Sequence, residues 1–125
     1  MKSILFVDDH EVLARLSCEI LEMQGYRAVD AHSGEEALQK LQGEQFDVLV
    51  TDMRLGAMNG LELARKAHEH APEIPVILIT GYEPVDVGND AVACLQKEDL
   101  FPALLDKIKK VVGQGGKEPE IAKTA

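Results

Sequence analysis

Five short apolar runs alternate with helix-like stretches along this chain, and that rhythm limits the fold more than any other feature. The runs are Ser3–Val7 (SILFV), 26–31 (YRAVDA), 46–51 (FDVLVT), 75–80 (PVILIT) and 91–96 (AVACLQ). Three of them are almost continuously apolar, as strands buried on both faces of a parallel sheet are. Strands alternating with helices imply an α/β fold with right-handed crossovers and helices on both faces. One interval breaks the rhythm: between LIT and VACLQ stands only GYEPVDVGND, and parallel strands normally need a crossover of about a dozen or more residues, usually helical.

The other intervals read as helices. Over 10–24, Leu13, Leu16, Ile20 and Met23 recur at helical spacing, predicting an inward stripe that stops at Gly25. SGEE at 33–36 predicts a capping box between Ser33 and Glu36, with Ala37, Leu38 and Leu41 inward and a stop at Gly43. Asn59 and Glu62 open a third helix carrying Leu61, Leu63, Ala64 and Ala67, which ends before Pro72. The last, over 99–112, buries Phe101, Leu104, Leu105, Ile108 and Val111, and tolerates Pro102 in its first turn. Lys107, Lys109 and Lys110 suit its negative dipole end. Beyond it, GQGGKEPEIAKTA has linker composition, so the division is one domain over 1–112 and a flexible tail over 113–125.

A chain of 125 residues with 46% hydrophobic content supports one such core. Its net charge of -9 opposes direct binding to nucleic acid phosphates. MKSILFVDD reaches its acids too early for a signal peptide, and no apolar run has the length of a membrane span, so a cytoplasmic protein is expected. Cys18 and Cys94 lack a CxxC spacing and read as buried free thiols.

In sheets of this type the ligand crevice lies beyond the carboxyl ends of the strands. The first run ends in Asp8 and Asp9, the third in Asp52, the fourth in Thr80 and the fifth in Lys97, while the second ends in Ala31 and His32, as an edge strand outside the site would. An acidic pair after a strand also serves as a helix cap or a solvated turn. Three carboxylates crowded at one rim, however, repel one another unless a cation is bound. Mg²⁺ suits them, since it takes hard oxygen ligands and keeps waters for exchange with phosphate oxygens. Lys97 and Thr80 could hold a tetrahedral anion, which leaves Asp52 as a nucleophile forming an aspartyl phosphate.

These residues together resemble the receiver domains of two-component response regulators. The resemblance rests on LFVDDHE, VLVTDMRLGAMNG with Gly60 closing the loop, ILITG and CLQKE, and covers residues 2–112. It implies a flavodoxin-like, doubly wound five-stranded parallel sheet in the order 2-1-3-4-5. It further implies that Asp52 accepts phosphate from a histidine kinase or phosphotransfer protein. By the same resemblance Asp9 and Asp52 bind Mg²⁺ with the Arg54 carbonyl, Asp8 acts mainly through water, and Thr80 and Lys97 contact the phosphoryl oxygens, with backbone amides near Met53, Arg54 and Gly81. Arg54 and Tyr82 would screen the acyl phosphate from water, predicting slow self-dephosphorylation. The downstream partner is left open, and a monomer or weak dimer with no membrane association is expected.

The chain departs from the family pattern in three places. Cys94 stands where a switch aromatic is usual, and Glu98 replaces the proline after the lysine, which disfavours a cis peptide there. Between Thr80 and Lys97, Pro84, Gly88, Asn89 and the branched Val85 and Val87 are poor helix formers, so the fourth helix is predicted to be shortened or absent. That points to output through the first and third helices and the loop after Asp52. Two other classes compete with the phosphoacceptor: a non-switching interaction module, favoured by Cys94 and the lost helix, and a small phosphohydrolase. The last lacks a second acid/base beside Asp52 and room for a lid. His10, His32, His68 and His70 read as surface histidines outside the site.

Overall fold

The computed structural model describes residues 1–81, 88, 90, 91, 93–96 and 100–112. Its elements run β1 Ser3–Val7, α1 Glu11–Met23, β2 Arg27–Ala31, α2 Gly34–Gly43, β3 Val48–Asp52, α3 Gly60–His70, β4 Val76–Thr80, β5 Ala93–Gln96 and α4 Leu100–Val112. All strand pairs are parallel, and the order is β2-β1-β3-β4-β5, the doubly wound arrangement expected. Between β4 and β5, Gly81, Gly88, Asp90 and Ala91 are not helical. This agrees with the shortened or absent fourth helix; residues 82–87, 89 and 92 lie outside the described residues, as does the tail expected over 113–125.

Strand alternation sorts the core into two layers. Leu5, Val7, Leu49, Val76 and Leu78 pack with Ala37 and Leu41 of α2 and with Leu63, Ala64 and Ala67 of α3. Ile4, Phe6, Val48, Val50, Ile77 and Ile79 pack with Ala14, Cys18 and Leu21 of α1 and with Leu104, Ile108 and Val112 of α4. The central strands β3 and β4 are buried at every residue, which explains why they are apolar up to the polar residues that end them. Strand β2 lies at the sheet edge, where Arg27 pairs with Glu44 at 2.8 Å and Asp30 with His32 at 3.0 Å.

The helix caps follow the sequence signals with one variation. Asn59 and Glu62 make a complete capping box. At α2 the Ser33 hydroxyl oxygen accepts from the Glu36 N–H at 3.0 Å, but Glu36 Oε1 accepts from the His32 N–H at 2.9 Å, one residue earlier than a box requires.

The stripe expected to bury α1 points the other way. Leu13 (44% exposed), Leu16 (48%), Ile20 (36%) and Met23 (80%) face solvent, and Ala14, Ser17, Cys18 and Leu21 face the sheet. Helix α1 carries two stripes at helical spacing. The inner one is made mostly of small side chains, which let the helix sit close over Ile4 and Phe6.

Cys18 is buried as expected, whereas Cys94 is only partly so. Burial, with the nearby Asp30 and Glu22 carboxylates adding to it, pushes the Cys18 thiol up to about 12. An unfolded chain ionises this thiol near its ordinary value of 9.0, so folding stability should fall as pH rises from there toward about 12. In urea melts across that range, Cys18→Ala should flatten the decline; equal slopes in both proteins would contradict it.

Candidate functional site

The parallel register brings the expected acids together. Val7 pairs with Thr51 across β1 and β3, so the residues that follow them, Asp8 and Asp52, emerge side by side. Asp9 is next along the chain, and one carboxylate oxygen from each of Asp8, Asp9 and Asp52 lies within 4.8 Å of the others. Asp8 and Asp52 are buried and Asp9 is exposed, so the group opens to solvent on one side. Asp8 is steadied from two sides: its N–H donates to the carbonyl of Ala31, the last residue of β2, at 3.0 Å, and its Oδ1 accepts from the His10 N–H in its own turn at 3.0 Å. His10 is the N-cap of α1, which places the positive end of that helix beside the acids.

Asp52 pairs with Ile79 of β4, so Thr80, buried at 5% exposure, stands one residue farther along the same rim. Gln96 closes β5 opposite Thr80. Lys97, the expected cation, lies outside the described residues, as do Tyr82 and the Lys97–Glu98 bond. Arg54 is exposed in the loop after Asp52.

That loop is held closely. Met53 N–H donates to the Ile79 carbonyl at 2.8 Å, and Gly60 N–H donates to the Met53 carbonyl at 2.8 Å. Gly60 has no room for a side chain: a Cβ would lie 2.6 Å from the Asp52 carbonyl oxygen and 2.9 Å from Leu78 Cδ2. Leu55 is buried, and Met58 packs over Gly34 at the start of α2, where a Cβ would meet its sulfur at 2.6 Å. Three carboxylate oxygens this close form a hard donor set that fits Mg²⁺. A separate cavity of about 390 Å³, lined by Leu41, Phe46, His70 and Ile74 among others, opens at the far ends of the strands and includes none of these acids.

Three features carry no signal in the sequence. The Thr51 hydroxyl, fully buried, donates to the Asp52 carbonyl oxygen at 2.9 Å; a threonine inside a strand pattern carries no signal of this. His32 is not a bare surface residue, since its ring meets Asp30 Oδ2 at 3.0 Å and Glu36 Oε1 at 3.5 Å. Burial alone would raise the Asp30 carboxyl, but the His32 hydrogen bond and the charges of His32 and Arg15 outweigh it and leave it below its ordinary value. Glu36 is lowered too, chiefly by the His32 N–H and against partial burial, with help from Lys40. His68 likewise bonds the Ile74 carbonyl at 2.8 Å and ties the end of α3 to its following loop.

The response regulator receiver domain model matches residues 4–101. The response regulator receiver protein CpdR of Brucella abortus is 37% identical over 117 residues, covering 90% of this chain and 98% of CpdR. The transcriptional regulatory protein ZraR of Klebsiella oxytoca is 34% identical over 112 residues, 89% of this chain but 25% of ZraR. Among solved structures, the response regulator TrrA of Thermotoga maritima in complex with Mg²⁺-BeF superposes with a TM-score of 0.81 at 32% identity, over 89% of this chain and 99% of that one. A complex of histidine kinase ThkA with TrrA matches with a TM-score of 0.82 at 31% identity, over 90% of this chain and 100% of the matched chain. The chain belongs to the response regulator receiver domain family and accepts a phosphoryl group in two-component signal transduction.

Proposed function

We propose that Asp52 is the phosphoacceptor and that residues 1–112 form the receiver unit, acting as a cytoplasmic phosphoprotein and not as a turnover enzyme. The observation that carries this is the joint placement of Asp8, Asp9 and Asp52, with one oxygen of each inside a 4.8 Å group, at the carboxyl ends of the adjacent strands β1 and β3. An Asp52 carboxylate oxygen attacks the phosphorus of a phosphohistidine; the P–N bond breaks, and its electron pair leaves with the imidazole nitrogen. Asp8 and Asp9 would hold Mg²⁺ with Asp52, and the bound ion supplies neutralisation of phosphoryl charge. The Arg54 carbonyl, in the loop directly after Asp52, is assigned as the backbone ligand from the family resemblance. Thr80 would donate its hydroxyl to a phosphoryl oxygen, and Lys97 remains assigned to that role from its place in the sequence. The Mg²⁺-BeF complex of TrrA supports the metal and the phosphoryl chemistry.

The kinase partner is supported by the ThkA complex of TrrA. On this chain the apolar face of α1, with Val12, Leu13, Leu16 and Ile20 exposed just beyond Asp8 and Asp9, is the surface we assign to a helical phosphodonor. A non-switching docking module is the second reading, favoured by Cys94, which is partly buried against the α2 and α3 layer where it has no ring to swing. Incubation with Mg²⁺ and acetyl phosphate distinguishes the two. The wild type should gain one acid-labile phosphate that Asp52→Asn loses entirely, whereas an unlabelled wild type would support the docking module.

A further inference from the structure

We propose that Thr51 is a positioning residue for phosphoryl transfer, its buried hydroxyl holding the peptide that carries the acceptor. The inference rests on Asp52 being that acceptor. Strand β3 is otherwise apolar up to Asp52 (VLVTD), and Thr51 stands in register with Val7 on one side and Leu78 on the other. By alternation with Leu49 its side chain faces the α2 and α3 layer, away from the acids. Valine would fill that place with the same branched shape and without a polar group to bury.

What the hydroxyl adds is a bond to the Asp52 carbonyl oxygen at 2.9 Å, inside the protein. The peptide it holds is the last before the chain leaves the sheet. From there Met53 bonds Ile79 and Gly60 at 2.8 Å each, and Gly60 crowds the same Asp52 carbonyl. Turning this peptide would swing the Cα–Cβ direction of Asp52 at one end and the approach to Arg54 at the other. Phosphoryl transfer depends on in-line placement of the attacking oxygen, and a displacement of about 1 Å can cost on the order of 100-fold. Thr51 touches neither donor nor phosphoryl group, so its effect passes through Asp52.

The test measures acetyl phosphate labelling with Mg²⁺, read as maximal rate and half-saturating concentration, beside thermal melts. Thr51→Val should label at about one-tenth of the wild-type maximal rate with half-saturation unchanged, well below its melting temperature, and Thr51→Ser should recover to within about threefold. Equal rates for Thr51→Val and wild type would overturn the proposal. So would a Thr51→Ser rate as low as that of Thr51→Val, because packing and not the hydroxyl would then be responsible. If Thr51→Val does not melt cooperatively, Thr51→Ala is compared with Thr51→Ser on the same two readings. A wild type that takes no label sinks the acceptor assignment instead, and the two failures are distinct.

Discussion

Gly60→Ala should lower the melting temperature and slow phosphoryl acceptance together, although it adds a single methyl group. That carbon would sit 2.6 Å from the Asp52 carbonyl oxygen, 2.9 Å from Leu78 Cδ2 and 3.1 Å from Met53 Cα. None of these can yield cheaply. The carbonyl is held by the Thr51 hydroxyl, Leu78 is fully buried, and Met53 is bonded on both its N–H and its carbonyl. The first turn of α3 must therefore move off the sheet, at an overpacking cost of about 1–3 kcal/mol. At roughly 4 °C per kcal/mol for a domain of this size, the melting temperature should fall by about 4–12 °C. Gly43→Ala is the control, because a Cβ there meets nothing within 4 Å and should leave stability unchanged or slightly raised. A Gly60→Ala protein melting within 2 °C of wild type, by the same roughly 4 °C per kcal/mol scale, would refute the close approach.

The second large effect concerns the outer face of α1. Leu13→Asp with Leu16→Asp should cut phosphotransfer from a kinase while leaving labelling by acetyl phosphate within about twofold. Both side chains are substantially exposed, so their replacement removes docking surface and not core. Apolar anchors at the centre of an interface each contribute about 2 kcal/mol or more, which corresponds to roughly 30-fold in affinity. The measurement is transfer from whichever autophosphorylated kinase of the source genome labels the wild type fastest, followed at subsaturating receiver concentration. Equal loss with both donors would mean that α1 supports the fold and not docking; no loss with either would place the kinase elsewhere.

The sheet and its rim are legible in the sequence because both depend on local pattern. Short apolar runs alternating with longer helical patterns suit strands covered on both faces, and once such strands are parallel the residues closing neighbouring ones meet at one rim. The inner face of α1 is not legible in this way. The helix has two stripes, and the one that packs is chosen by how closely Ala14 and Cys18 let it approach Phe6, a property of the partner surface. The His32 contacts are hidden for a similar reason, since Asp30 lies on a strand and Glu36 on the next helix, and only the turn between them aims both carboxylates at one ring. Thr51 escapes because reading strand ends stops at Asp52, whereas support for an acceptor comes from the residue before it. The weak helical pattern between β4 and β5 is legible, because Pro84, Gly88 and paired branched valines oppose a helix whatever surrounds them.

Strand β2 forms one open edge of the sheet, and two of its five residues carry ion pairs: Arg27 meets Glu44, and Asp30 meets His32 and Arg15. An unpaired strand invites a second chain to add to it, and charges that must be stripped of water and partners before that can happen oppose the addition. The charges of Asp30 and Arg27 therefore oppose the addition of a second chain at this edge.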